Sequence, residues 1–225
     1  NLVVRELVQS PNGDLGLKFV PEMVPACGPP LALEIAARKG DVSGDFAALR
    51  VRAEDTLSYA AVDDVPHDSR IRLTVRPAPG VEVFGVCLCG EGDYRAGSEL
   101  SFRPASNHVQ FAHPHEGGLG KHQPVVTLMG GDTGALPPMT GLNGPLTLDI
   151  IIKDRILDVC IADHRTFIAR RSDPGGNRLF LFAQGGEVIF ERIDVRSLEC
   201  PHAPESPRQI PRARAVRTKP PVGGT

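Results

Sequence analysis

One segment of the chain offers the side chains that hold zinc in other proteins. It contains His113, His115, Glu116 and His122 within ten residues. Pro114 fixes the backbone between the first two histidines without presenting both rings together, and the surrounding sequence is rich in Gly and Pro. The pattern therefore favours a polar loop with solvated histidines, and we predict neither a metal nor a cofactor for the chain.

A second segment has the carboxylates of a calcium loop. Asp63, Asp64 and Asp68 follow one another closely, with His67 among them. Calcium prefers oxygen ligands of this kind, but the spacing fits no EF-hand pattern. A solvated turn is therefore favoured over a calcium site.

The chain has five cysteines, and two of them are separated by a single residue. Alternation along a strand would project Cys87 and Cys89 to the same face. Because no second pair accompanies them, we interpret them as small buried side chains rather than zinc ligands. The number of cysteines is odd and low for the length of the chain, which argues against a disulfide framework and favours reduced thiols in a cytoplasmic setting. Secretion of the parent protein stays open as the alternative.

Exposed aromatic rings would indicate a sugar platform, but this sequence has few candidates. It has no Trp and two tyrosines, Tyr59 and Tyr94, and most of its nine Phe fall within strand patterns. A strong independent sugar platform is thus disfavoured, although Tyr94 stays a ligand candidate. A groove of Arg, Asp and Asn that binds an oligosaccharide also stays open.

The charge distribution excludes some partners. A net charge of -2 gives no overall field that would select nucleic acid or an anionic membrane, and no apolar run is long enough to cross one. The segment Pro201–Thr225 carries five basic residues against one acid, but it lacks interleaved aromatic residues. We therefore predict a disordered tail rather than a nucleic-acid contact.

Strand patterns dominate the rest of the chain. Apolar residues alternate with polar ones along Arg70–Arg76, whereas Val81–Leu88 is apolar on both faces and indicates a central strand. Short strands at about ten-residue spacing predict one continuous meander over Leu146–Leu198, with a bulge between Phe190 and Ile193. The fold class predicted is all-β: a two-sheet antiparallel sandwich of the jelly-roll, lectin-like kind.

The chain divides into three regions. Residues 25–199 are predicted to form the sandwich and residues 200–225 the tail, while residues 1–24 contain a first strand and are assigned as a linker by a family resemblance of their sequence. The segment His113–Pro145 is a long Gly- and Pro-rich loop. Alternation in Leu31–Ala37 predicts a strand, with a short helix as the alternative. The chain begins with Asn1 rather than Met, as a processed chain or a piece of a longer one would.

Two stretches carry a family resemblance. The first contains Val4–Leu7, then Asn12–Leu15, then Val20–Met23. It resembles the linker of glycoside hydrolase family 32, in which an Arg-Glu-Leu strand leaves the catalytic propeller and leads into a C-terminal sandwich. The second stretch, Leu148–Val159 continued by Arg165–Arg170 and Leu179–Leu198, is similar to strands of that sandwich. Motifs of both stretches occur in the expected order.

The resemblance implies an ancillary module without its own catalytic groups. The parent protein would act on fructose-containing glycosides, through a five-bladed propeller upstream of this chain. The family's nucleophile segment is absent, Arg171–Pro174 is not an Arg-Asp-Pro motif, and Glu199–Cys200 follows the last sandwich strand. We therefore predict no catalytic residue here, with Arg5 and Glu6 at the joint between the domains.

Asp158 is an acidic residue within an otherwise apolar strand, and a buried carboxylate needs a partner. Arg170 or Arg155 is the expected partner, and contact with the propeller is the alternative. For the whole chain, the alternative function is a stand-alone lectin-like module that binds an oligosaccharide or a protein.

Overall fold

The computed structural model describes residues 4–10, 13–94, 96–112, 134–136, 138–171 and 175–198. These residues form an all-β fold with two short 3-10 turns, at Pro21–Met23 and Pro104–Ser106. None of their helices is long and apolar enough to span a membrane. The predicted disordered tail and most of the predicted long loop lie outside the described residues.

The strands of the described residues are, in chain order, β1 (Glu6–Gln9), β2 (Leu15–Lys18), β3 (Cys27–Pro30), β4 (Ile35–Lys39), β5 (Asp41–Gly44), β6 (Ala48–Ala53), β7 (Ser58–Val62), β8 (Ser69–Pro77), β9 (Val83–Glu91), β10 (Ala96–Arg103), β11 (His108–Ala112), β12 (Gly134–Ala135), β13 (Leu146–Lys153), β14 (Ile156–Ile161), β15 (Arg165–Arg170), β16 (Arg178–Gln184) and β17 (Gly186–Leu198).

Two large antiparallel sheets form the predicted sandwich. One has seven strands in the order β12-β11-β10-β9-β16-β7-β4. The other has eight strands, with the order β15-β14-β13-β8-β17-β6-β5 and β3 paired to β17. Strands β1 and β2 form a separate two-stranded ribbon, which we call the N-terminal hairpin.

The core lies between the two large sheets and follows the alternation of the sequence. Ile71 and Leu73 of β8 point into it, together with Val86 of β9 and Leu181 of β16. Arg70 and the other arginines of β8 point away from it, because successive side chains of a strand face opposite sides. Strand β9 is buried on both faces between β10 and β16, as predicted for a central strand.

The predicted bulge in β17 is present. Phe190 and Ile193 are both buried in the core, and the register of β17 against β8 shifts between Glu191 and Asp194. Arg192 lies within the bulge and has a φ of 52°. The backbone N–H groups of Arg192 and Ile193 donate to the carbonyls of Ala47 and Phe46, which fixes the bulge.

Three expectations from the sequence need correction. Cys87 and Cys89 lie on opposite faces of β9, because the positive φ of Cys89 interrupts the alternation. The strand predicted over Leu31–Ala37 begins at Ile35 instead. Strands β13, β14 and β15 form a meander, but β16 crosses to the other sheet before β17 returns.

Candidate functional site

The N-terminal hairpin and the segment after it pack on the outer face of β13 and β14. Gly16 lies against His164, and the N–H of Leu17 donates to the His164 carbonyl at 2.8 Å. Phe19 packs against Ile151 and Cys160, which are both buried. Burial raises the pKa of Cys160 to about 11, since the thiolate would lose its hydration there.

Asp158 forms an ion pair with Arg5 of the segment that leads into β1. The two side chains are 19% and 14% exposed, and the Arg5 guanidinium also lies 4.9 Å from the centre of the Phe19 ring. Burial raises the pKa of Asp158 above its usual value, although Arg5 acts to lower it. The expected partners Arg170 and Arg155 are thus replaced by Arg5, which lies 153 residues away in sequence.

The other predicted joint residues are more exposed. Glu6 forms a 3.0 Å ion pair with Lys18 across the N-terminal hairpin. Arg170 is exposed on the edge strand β15, directly opposite Ile156 of β14. The structure therefore brings Arg5, Glu6 and Asp158 together at this face, with Arg170 at its margin.

Large apolar side chains are exposed on the N-terminal segment and on the neighbouring strands β14 and β15. We call this set the hairpin surface. It consists of the exposed large apolar residues of the described part of the chain: Val4, Leu7, Leu15, Leu17, Met23, Ile156 and Ile168. Val4, Met23 and Ile156 of this set line a pocket of about 200 Å³, together with Arg5 and Asp158.

A second, polar pocket of about 320 Å³ lies on the same sheet, over β17, β8 and β13. We call it the charged groove. Its floor contains a row of directly opposed residues, Asp194, Arg72 and Asp149. A parallel row contributes the hydroxyls of Thr74 and Thr147. Sequence patterning did not indicate this groove, because it depends on the register of three strands that are distant in sequence.

Two turn residues form the walls of the charged groove. Arg192 comes from the bulge in β17, and Asp163 comes from the turn between β14 and β15. Their φ angles are 52° and 49°, in the left-handed region of backbone conformation. A residue with a side chain destabilises the fold there by about 1 kcal/mol or more.

Arginines hold the carboxylates of the groove in fixed orientations. Asp149 accepts two hydrogen bonds from Arg70, at 2.8 Å from Nε and 2.6 Å from Nη2. Asp194 accepts a 2.8 Å hydrogen bond from Nε of Arg196. Arg72 is 61% exposed, and its Nε lies 3.6 Å from Oδ2 of Asp149.

Tyr94 lies on the outer face of the opposite sheet and is buried. Its ring stacks on Tyr59 at 5.7 Å and meets Phe180 and Phe182 edge-on. Its hydroxyl donates to the buried Glu99. The structure therefore places Tyr94 in a packed cluster, away from the hairpin surface and the charged groove.

The carboxylates of the predicted turn are partly or fully exposed, and each of them also bonds to another side chain of the protein. Asp63 accepts two hydrogen bonds from Arg178, Asp64 accepts one from Asn177, and Asp68 pairs with Lys153. Among the residues that the structure describes, no group of three or more His, Cys, Asp and Glu side chains could hold a metal ion. The zinc candidates His113, His115, Glu116 and His122 lie outside those residues, as do Asp173, Pro174 and the Glu199–Cys200 pair.

Known structures share this architecture. The chain is similar to the carbohydrate binding module CBM66 from Bacillus subtilis, with a TM-score of 0.57 and 11% identity over 74% of this chain and 98% of that one. It is also similar to exo-inulinase from Aspergillus awamori, with a TM-score of 0.54 and 10% identity over 87% of this chain. The chain has the fold of a β-sandwich module of glycoside hydrolase family 32 type.

The same likeness extends to a fructosyltransferase from A. japonicus, with a TM-score of 0.50 and 12% identity over 91% of this chain. The chain spans about a third of the inulinase and of the fructosyltransferase, 34% and 33%. No protein-family model and no curated protein matches the sequence. The predicted resemblance is therefore confirmed at the level of the fold.

Proposed function

We propose that this chain is a non-catalytic β-sandwich module of a larger glycoside hydrolase that acts on fructose-containing glycosides. In this proposal residues 1–24 join it to a preceding catalytic propeller, and the hairpin surface packs against that propeller. The observation that carries the proposal is the grouping of the exposed large apolar residues around the N-terminal segment.

The two sides of the N-terminal hairpin support this role. Gly16 faces the sandwich, where an added Cβ would lie 2.3 Å from His164 Nδ1. Leu15 and Leu17 point to the other side, with Leu7 directly opposite Leu17. The three leucines are 61%, 41% and 64% exposed, respectively. Exposed leucines that share one side of a hairpin are a feature that an interface would cover.

The energetics of packing favour a macromolecular partner for the hairpin surface. Each leucine is already about half-buried, so covering the rest would contribute about 1 kcal/mol per side chain.

The state of the carboxylates supports a non-catalytic module. Retaining glycoside hydrolysis uses two carboxyl groups about 5 Å apart, one of them able to carry a proton to the leaving group. Asp149 and Asp194 are each held by an arginine, which favours a structural or binding role over proton transfer.

The first test is enzymatic. We expect the purified chain to fold cooperatively and to release no fructose from sucrose, inulin or levan. Measurable turnover that Glu199→Gln abolishes would contradict the proposal.

The second test addresses packing in the longer polypeptide of the proposal. Replacing Leu7, Leu15 and Leu17 together with Ser should lower the melting temperature of the longer polypeptide by several degrees, because the interface loses apolar area. The same triple variant of the isolated chain should melt within about 2 °C of the unsubstituted isolated chain, because these leucines already face water there. Equal effects in the two contexts would argue against a packing role.

A second candidate function is a carbohydrate-binding module, and the charged groove favours it. The groove combines arginine donors, carboxylate acceptors and threonine hydroxyls on a rigid sheet. The two candidates are compatible, since the groove and the pocket beside Arg5 and Asp158 share no lining residue.

A further inference from the structure

We propose that the charged groove binds a neutral saccharide, whose hydroxyl groups exchange hydrogen bonds with its arginine and carboxylate side chains. This inference rests on the second candidate function and assigns it a site and a ligand chemistry. It is independent of whether the hairpin surface packs against a propeller.

The arrangement of donors and acceptors selects the ligand. An arginine donates hydrogen bonds and cannot accept them, a carboxylate accepts them, and a sugar hydroxyl does both. Asp194, Arg72 and Asp149 alternate along one row of the floor, so neighbouring hydroxyls of a sugar ring can donate to one residue and accept from the next. Thr74 and Thr147 add hydroxyls that suit either role.

The charge balance disfavours ionic ligands. The lining of the groove contains two arginines and three aspartates, and three further arginines and one further acid pair with it or lie beside it: Arg72, Arg192, Asp149, Asp163 and Asp194, then Arg70, Arg196, Arg76 and Glu191. An anion would meet the aspartates and a cation would meet the arginines. A neutral ligand with many hydroxyls avoids both repulsions and uses both kinds of group.

The groove is preorganised for such a ligand. Arg70 and Arg196 fix the carboxylates of Asp149 and Asp194, and each carboxylate has lone pairs for further hydrogen bonds. Arg72 and Arg192 stay exposed, so their N–H groups can reach a ligand. Because the floor belongs to three adjacent strands, little conformational entropy is lost on binding.

The dimensions fit one or two sugar rings. Three adjacent strands span about 10 Å, and a volume of about 320 Å³ lies at the lower end of the range for ligand pockets. The described lining of the groove contains no aromatic ring, so stacking does not contribute. We therefore expect affinities of about 1 mM, weak but saturable.

Arg192→Gly is the decisive variant. Glycine adopts a positive φ without strain, so this change removes the guanidinium while keeping or raising the melting temperature of the protein. Asn107→Gly is the matched control, because Asn107 also has a positive φ, of 53°, and lies in the turn between β10 and β11 on the other sheet.

The experiment is a titration of isotope-labelled protein, followed by amide chemical shifts. The neutral probes are short levan-type and inulin-type fructo-oligosaccharides and a malto-oligosaccharide, and the charged probes are inorganic phosphate and glucuronate. We expect at least one neutral saccharide to shift amides of β17, β8 and β13 saturably. Arg192→Gly should weaken this binding about tenfold or more, and Asn107→Gly should leave it unchanged.

Three results would overturn the inference. They are the absence of saturable binding of any neutral probe up to about 20 mM, unchanged binding in Arg192→Gly, and preferential binding of phosphate or glucuronate. None of these results bears on the hairpin surface, so this inference and the packing proposal can fail separately.

Discussion

The hydroxyl of Tyr94 donates a 2.9 Å hydrogen bond to Oε2 of Glu99. Glu99 is fully buried and Tyr94 is 6% exposed. Desolvation raises the pKa of Tyr94, and the charge of Glu99 raises it further, so the hydroxyl stays protonated and able to donate. This bond ties the connection between β9 and β10 to the strand that follows it.

Tyr94→Phe should therefore destabilise the protein by about 1–3 kcal/mol, because it withdraws a donor from a buried carboxylate. Tyr59→Phe is the matched control, since the two rings stack on each other at 5.7 Å and belong to the same cluster. Urea unfolding of both variants measures the difference. Equal losses in the two variants would mean that the hydrogen bond to Glu99 contributes nothing.

Gly16→Ala should release the N-terminal hairpin from the sandwich. The new Cβ would meet His164 Nδ1 at 2.3 Å and the His164 carbonyl at 2.4 Å, so one of the two elements must move. Gly28→Ala is the control, because its nearest contact would be an ordinary 3.9 Å.

The readout for Gly16→Ala is alkylation of Cys160, which the segment after the hairpin covers. We expect faster labelling of Cys160 in Gly16→Ala and unchanged labelling of Cys87, which is buried under the opposite sheet's aromatic cluster. Alkylation of both thiols at the same rates as in the unsubstituted protein would show that the hairpin stays docked.

Arg5→Ala should destabilise the protein most at neutral pH. Without the guanidinium the pKa of Asp158, already raised by burial, rises further. A carboxyl group whose pKa is raised by folding binds its proton more tightly in the folded state, so stability increases as the pH falls through that pKa. We expect a loss of about 1–3 kcal/mol near pH 7 that shrinks near pH 4.

Urea unfolding at the two pH values checks the Arg5→Ala prediction, and Arg5→Lys is the control that keeps the charge. A loss of equal size at both pH values would indicate that Arg5 acts through its packing on Phe19 rather than through Asp158.

Asp68→Asn should also lose its effect in acid, although folding shifts the pKa of Asp68 downward and that of Asp158 upward. The hydrogen bond from Lys153 lowers the pKa of Asp68, so its contribution is present above the unfolded pKa and is lost as the pH falls through the folded value. Both side chains are partly exposed, which limits the contribution at neutral pH to about 1 kcal/mol or less. The amide oxygen can still accept the 2.8 Å hydrogen bond from the Asp154 N–H, so the variant isolates the charge.

Denaturant midpoints between about pH 7 and pH 2 should show the Asp68→Asn variant converging on the parent in acid. Asp41→Asn is the control, because its carboxylate lies 3.8 Å from Arg50 and is 55% exposed. A difference that persists at the lowest pH would contradict the assignment to the ion pair.

Local alternation was enough to predict much of the sandwich. The period of two along Arg70–Arg76 assigned the faces of β8, and the change of parity between Phe190 and Ile193 indicated the bulge. These features depend on neighbours in sequence. The error at Cys89 has a local cause as well, since a positive φ at a non-glycine residue leaves no signal in the alternation.

The two surfaces of the candidate site could not be predicted in the same way. Asp158 was recognised as a buried carboxylate, but its partner Arg5 comes from a segment whose docking depends on Gly16 and Phe19. The charged groove requires Asp194, Arg72 and Asp149 to be in register across three strands. Such contacts are set by the packing of the whole sandwich and not by spacing along the chain.

The chain has no Trp, and its two tyrosines, Tyr59 and Tyr94, stack on each other on the outer face of the seven-stranded sheet. All tyrosine emission of the protein therefore originates from one spot, away from the N-terminal hairpin and the groove. Intrinsic fluorescence will report the melting of that side of the sandwich. The tyrosine emission should not change when a sugar binds in the groove, so a spectroscopic assay of the groove needs an introduced chromophore.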